Sequence, residues 1–364
     1  MNKRTFTVAA LAAGILVQTE GFTEVGPIVS SAVDTASVIS AVDTASSPQL
    51  TGAFPGQVAL DAGYPSSPFY VTARDGGGQT VDALITSATT IGPNERFTVE
   101  QVGDYLSFKT ANGDYVSMTD GLSNATATQV AQTVLTAPAD TTLFSTVESG
   151  FNYYHLVSYY DEYVSIYPGK STAAIGESAY PSESGIRGIA PQQCGDLGSG
   201  YSYSIVMETG SVFNSPLAAH AGFTKGALVE VAYSDLGFEP DAQFTLIRQD
   251  DGSYALQTAK DTLDDNEINY VTAVNGGGLA HGTDDSDNLI TTATQVGAWE
   301  KFRISDQGNC TYTIQTSSGY YVAYKLQDQP GFATEFLSTR ISDPAAAASI
   351  GYGAYFVLRP LWNN

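Results

Sequence analysis

The sequence predicts an all-β chain built from six repeats, and three observations carry that reading. A Tyr-Val pair recurs at Tyr70-Val71, Tyr115-Val116, Tyr163-Val164, Tyr270-Val271 and Tyr321-Val322, with Leu228-Val229 filling the one gap. Between these pairs runs an aromatic residue followed closely by an apolar one: Phe97-Thr-Val99, Phe144-Ser-Thr-Val147 (slipped by one), Tyr203-Ser-Ile205, Phe244-Thr-Leu246, Phe302-Arg-Ile304 and Phe356-Val-Leu358. Short alternating runs such as Tyr105-Leu-Ser-Phe-Lys-Thr110 and Tyr312-Thr-Ile-Gln-Thr316 are bounded by Gly, Asn, Asp and Ser, the pattern of strands joined by tight turns. The aromatic series advances by 47, 59, 41, 58 and 54 residues, a period near fifty. A unit of that size cannot bury its own apolar face and shares a core with its neighbours.

Composition supports strands and removes several functions. The chain has 364 residues, 43% of them hydrophobic, enough for two packed domains. Its 22 Tyr and 36 Gly suit strands separated by turns. The 38 acidic residues outnumber 15 basic ones, for a net charge of -23. Nucleic-acid binding draws its affinity from Lys and Arg on phosphates, so neither nucleic acid nor an anionic membrane is an expected partner.

Taken in order, residues 1–21 begin with basic Met1-Asn-Lys-Arg4 and continue through an apolar stretch from Thr5 to Val17. That stretch is too short to span a bilayer and suits the apolar part of an export signal, which places the protein outside the cell with no membrane span in its mature form. The alternative is an N-terminal strand or helix packed on another subunit. Residues 22–56 hold a direct repeat, Ser31-Ala-Val-Asp-Thr-Ala-Ser37 and Ser40-Ala-Val-Asp-Thr-Ala-Ser46. This segment reads as a linker or as an assembly arm that orders against a partner.

Two segments match each other best. Tyr70-Val-Thr-Ala-Arg-Asp-Gly-Gly-Gly78 matches Tyr270-Val-Thr-Ala-Val-Asn-Gly-Gly-Gly278, and each is followed by a Gly-x-x-Glu-x-Phe run, Gly92 to Phe97 and Gly297 to Phe302. A strand ending in Asp/Asn-Gly-Gly-Gly needs positive φ angles, which Gly adopts without a steric cost. This pattern resembles the fascin-like β-trefoil family, including fascin-type modules of some secreted glycoside hydrolases, over residues 57–360. The resemblance implies lobes of about fifty residues, three to a six-stranded barrel capped by hairpins, and hence two tandem β-trefoils. With the boundary in the long gap between Tyr163 and Leu228, the trefoils span 57–206 and 207–364. It further implies that Phe97, Phe144, Phe244, Phe302 and Phe356, with Tyr203 as the sixth, are buried at equivalent positions.

The family's relatives suggest actin bundling or glycan binding. Bundling of filamentous actin relies on basic patches, which this acidic chain lacks. Ricin-type sugar trefoils carry Gln-x-Trp where this chain reads Glu95-Arg-Phe97 and Glu300-Lys-Phe302. His155, His220 and His281 lie in separate repeats with no catalytic motif around them, and neither a nucleophile elbow nor metal-ligand spacing is present. The expectation is therefore a non-catalytic protein with no cofactor and no metal. Its partner would be a glycan or polysaccharide, held by Asp75 and Asn94 in one Gly-Gly-Gly lobe and Asn275 and Trp299 in the other. Sugar sites pair an aromatic face with Asp or Asn that orient hydroxyls. The competing reading makes Asp75 and Asn275 turn formers and Trp299 a barrel cap. The tyrosines at 153, 154, 159, 160 and 163 divide likewise between ligand contact and packing. Cys194 and Cys310 fall in different halves and either form a disulfide that staples them or stay as two thiols. The alternative function is a self-assembling subunit of an extracellular filament, coat or virion, a homo-oligomer or polymer whose residues 22–56 add to a neighbouring sheet edge.

Overall fold

The computed structural model describes residues 54–63, 68–119, 131–150, 153–172, 175–178, 188–207, 212–214, 229–231, 242–258, 268–278, 288–325 and 335–362. The leader and the arm up to residue 53 lie outside these residues. The first sheet holds β1 (Gln57–Asp61), β2 (Tyr70–Ala73), β3 (Leu84–Ala88), β4 (Arg96–Val102), β5 (Tyr105–Lys109) and β6 (Tyr115–Met118). It continues with β7 (Ala131–Leu135), β8 (Phe144–Gly150), β9 (Tyr153–Ser158), β10 (Tyr163–Ile166), β11 (Ile175–Ser178) and β12 (Ala190–Cys194). The second sheet starts with β13 (Tyr201–Met207), β14 (Val212–Asn214), β15 (Val229–Val231), β16 (Phe244–Arg248), β17 (Tyr254–Thr258), β18 (Tyr270–Ala273) and β19 (Leu289–Ala293). It ends with β20 (Arg303–Gly308), β21 (Thr311–Gln315), β22 (Tyr321–Lys325), β23 (Glu335–Phe336), β24 (Ser338–Ile341), β25 (Tyr352–Gly353) and β26 (Phe356–Pro360).

The pairing makes each sheet a closed barrel of six strands with three hairpin caps, the β-trefoil. In the first, β12–β1–β4–β5–β8–β9 pair in turn, and a Tyr154–Ile189 bridge closes the ring. The caps are β2–β3, β6–β7 and β10–β11. In the second, β26–β13–β16–β17 pair, a Tyr254–Phe302 bridge leads into β20, and β20–β21–β26 completes the ring. Its caps are β14–β15, β18–β19 and β22–β24. All these pairs are antiparallel, so closure leaves few bare edges.

One cross-strand pair repeats in every lobe and explains the fifty-residue period. The fourth strand meets the first through Val58–Phe97, Leu106–Phe144, Tyr154–Ile189, Tyr203–Phe244, Tyr254–Phe302 and Tyr312–Phe356. All twelve side chains are buried, where alternating strand faces point them to the two barrel cores. This corrects the expected sixth position. Tyr203 is buried, but it lies on the first strand of the second barrel, opposite Phe244; the residue equivalent to the phenylalanines is Ile189. The sheets accordingly part between Cys194 and Tyr201, one strand earlier than a boundary at residue 206.

Two further positions differ from the sequence reading. In five lobes the second strand, which is the first of the cap hairpin, carries the Tyr-Val pair, and Val71, Val116, Val164, Val271 and Val322 are buried in the cores. Leu228-Val229 is not its sixth member: Val229 opens β15, a third strand, while Val212 takes the tyrosine register opposite Val206. Val147 is exposed, because strand alternation from Phe144 brings residue 146 rather than 147 to the inner face.

The barrels lock together through shared parts. Cys194 at the end of β12 and Cys310 before β21 form a disulfide. Leu197, in the connection, is buried in the second core. Trp362, past β26, packs on the first core, its ring 5.8 Å from Phe108 and 5.2 Å from Tyr154.

Candidate functional site

The two Gly-Gly-Gly turns have the same backbone construction. Asp75 and Asn275 take left-handed φ angles of 54° and 56°, followed by three glycines that also have positive φ. Gly77 and Gly277 donate N–H to Arg74 and Val274 carbonyls, closing the turn at 3.0 Å in both. Gly78 and Gly278 then bond across to the Thr133 and Thr339 carbonyls at 2.6 and 2.8 Å, and Asn112 and Ser318 donate back to Gly76 and Gly276. A Cβ at Gly277 would sit 2.5 Å from Thr316 Oγ1, so glycine is required there. The run therefore ties each lobe to the cap of the next.

The Gly-x-x-Glu-x-Phe run is also structural at its acidic residue. Glu95 Oε2 accepts from Gly92 N–H and Glu300 Oε2 from Gly297 N–H, both at 2.7 Å, the reciprocal arm of a capping box. Glu300 Oε1 accepts in addition from the Thr272 hydroxyl at 2.7 Å. In the second lobe Thr142 does the same work for Ala139 N–H. Both glutamates are thus committed to the backbone.

The four candidate ligand residues separate by trefoil. In the first, Asp75 is exposed, but its carboxylate accepts from Gln79 Nε2 and its carbonyl from Asn112 Nδ2. Asn94 is half-buried in the turn Pro93–Glu95, which packs near the Asp75 turn. Both residues thus take part in turns. In the second, Asn275 is exposed on its turn and Trp299 occupies the position matching Asn94. Trp299 is 47% exposed, whereas Phe302 three residues on is 1% exposed. The indole therefore faces solvent and does not cap the barrel. Its carbonyl accepts from Ala273 N–H at 2.9 Å, which fixes its backbone against the strand leading into the Asn275 turn. Its Cδ1, with Ser317 Oγ and Ser318 Oγ, crowds the space beside Gly276. One surface thus presents an indole, an amide and two serine hydroxyls.

A groove of about 700 Å³ opens next to this surface. Val296, Gly297 and Ala298, which lead in sequence to Trp299, line it together with Gln315, Thr316, Ser317 and Gly319, and Asp251, Lys301 and Arg303 complete it. Asp251 is held ionised, well below the usual carboxylate range, by the Ser253 hydroxyl and then by Lys301, whose Nζ lies 2.9 Å away.

A second cleft, of about 530 Å³, lies between the barrels and was not legible in the sequence. Asp61, Tyr70 and Gln192 from the first barrel and Phe356 and Arg359 from the second line it. Asp61 is almost wholly buried, and burial raises its pKa against hydrogen bonds from Gly63 and Phe69 amides and the charge of Arg359. Arg359 lies 5.5 Å from the Tyr153 ring. On the outer surface of the first trefoil, Tyr159 and Tyr160 are exposed and edge-on to each other, whereas Tyr154 belongs to the barrel.

No family model matches the chain, and no curated protein does. Solved structures similar to it include a mosquitocidal holotoxin, at 10% identity and TM-score 0.32, covering 84% of this chain and 34% of that one. The chain thus spans about a third of that toxin. A designed three-fold symmetric protein, ThreeFoil, aligns at 15% identity and TM-score 0.33 over 44% of this chain and 99% of its own. The Haemophilus ducreyi cytolethal distending toxin aligns at 14% identity and TM-score 0.33 over 49% and 92%. The trefoil assignment rests on the strand pairing above. Among the described residues, no helix is long and apolar enough to cross a membrane.

Proposed function

We propose that this protein is a non-catalytic, extracellular carbohydrate-binding double β-trefoil of fascin-like type, with its glycan site on the second barrel around Trp299. The observation that carries the reading is the exposed indole above a buried phenylalanine. An indole left in solvent forgoes burial worth about 1.5–3 kcal/mol for a large side chain, and stacking on sugar C–H groups recovers it. The Ser317 and Ser318 hydroxyls meet the ring edge beside Gly276, and the exposed Asn275 precedes that glycine, so donors and acceptors that can fix hydroxyl orientation lie on the same turn. The paired Gly-Gly-Gly and Gly-x-x-Glu-x-Phe motifs support the fascin-like kinship. A disulfide between the barrels fits an oxidising, extracellular setting.

A glycan array followed by calorimetry tests the reading. Trp299→Ala is expected to weaken binding by about 2 kcal/mol, roughly 30-fold, as for a buried aromatic anchor. Absence of binding to every glycan at physiological salt, or full affinity in the Trp299→Ala protein, would sink it.

A further inference from the structure

We infer that the groove beside Trp299 selects a sugar bearing a carboxylate, with the Arg303 guanidinium reading that carboxylate; this rests on the glycan-binding reading above. The argument starts from charge. Across the chain acidic residues outnumber basic ones 38 to 15, yet the groove wall reverses the balance, with Lys301 and Arg303 against the single carboxylate of Asp251. Asp251 is already engaged: Lys301 Nζ lies 2.9 Å from its Oδ2, and the Ser253 amide donates to its Oδ1 at 3.0 Å. The Asp251–Lys301 pair is neutral, which leaves the Arg303 charge as the excess of the wall. Arg303 opens β20 opposite Gln315, is exposed, and lines the same groove as Ala298, the neighbour of Trp299.

The chemistry of the two groups then specifies the ligand. A planar guanidinium fork matches a planar carboxylate through two parallel N–H···O bonds, a match an ammonium or a hydroxyl does not reproduce. The indole supplies the face for the sugar ring. A net charge of -23 repels long polyanions at a distance, so the fitting ligand carries an isolated or terminal carboxylate, not a polyuronate. Uronates and sialates share this chemistry, and the test separates them.

The full chain would be titrated with matched neutral and carboxylated probes: glucan, mannan and galactan tetramers, the same tetramers carrying one terminal uronate, and an N-glycan with and without terminal sialic acid. The acidic member of at least one pair is expected to bind about tenfold tighter or more, as for a hydrogen bond to a charged group. That ratio should fall as salt rises from 0.05 to about 0.5 M, because the pairing is exposed. Arg303→Ala should collapse the ratio to about one, and Arg303→Lys should keep part of it. Trp299→Ala should weaken both members. Binding without acid preference, or a preference that survives Arg303→Ala, overturns the inference and leaves the glycan-binding reading standing. No binding of any member by the wild-type chain overturns both.

Discussion

Phe302 and Trp299 stand three residues apart and face opposite media, so they separate stability from recognition. Phe302 is buried opposite Tyr254 in the second core, and its replacement by Ala is expected to cost about 3–5 kcal/mol, read from denaturant midpoints. Trp299→Ala, at an exposed site, should change stability by no more than about 0.5 kcal/mol. His155 carries a second residue-scale prediction. Burial lowers its pKa below 6.5 in the folded state, and its buried Nδ1 lies in a side chain edge-on to Tyr163. The unfolded chain therefore takes up a proton more readily. Stability from this group is complete above about pH 6.5 and is lost as pH falls through the lowered value. Tm measured from pH 8 to 5 should drop less steeply in His155→Gln than in the wild type; identical slopes would refute this.

At the scale of elements, the repeated turn offers an internal comparison. Glu95 and Glu300 cap the same turn, but Glu300 also accepts from the buried Thr272 hydroxyl. Glu300→Ala is thus expected to destabilise by about 1 kcal/mol more than Glu95→Ala, the worth of one extra hydrogen bond. Urea titration of the two variants checks it. The same elements show what the sequence could convey. Strand existence, the six lobes and five of the fourth-strand core residues were legible, because Phe and Tyr-Val recur with strand alternation. The sixth core residue was not, because Ile189 is aliphatic, while Tyr203-Ser-Ile205 has the same aromatic-x-apolar form on a first strand. Both strand types bury alternate residues, so pattern alone cannot tell which of the two a segment is. The second strand at Val212 escaped for the same reason: it lacks the Tyr-Val signature. Trp299 was legible as a candidate from its place before Phe302. The groove was not, because Asp251, Arg303 and Ser317 come together only through the pairing of separate hairpins.

The two barrels are joined by side chains that cross between them or enter from their connection. Trp362, at the end of the second barrel's chain, packs on the first core and donates its backbone N–H to Tyr154 Oη at 3.3 Å. Leu197 enters the second core from the connection, where Tyr254 and Tyr312 hydroxyls donate to the Leu197 and Gly195 carbonyls at 2.9 Å. Tyr201 touches both cores, its ring 5.4 Å from Phe54. The Cys194–Cys310 bond, which spans 116 residues of sequence, adds a covalent link across this joint. Closing a loop of that length restricts the unfolded chain, and replacing both cysteines by Ser is expected to cost about 2–5 kcal/mol. The packing at the joint remains without the disulfide, so the double variant should still unfold in a single calorimetric transition at lower Tm. Trp362→Ala in that background removes the first barrel's plug and should separate the unfolding of the barrels into two transitions, the first barrel melting earlier. Two resolved transitions in the double variant alone would mean that the disulfide, and not the exchanged plugs, couples the barrels.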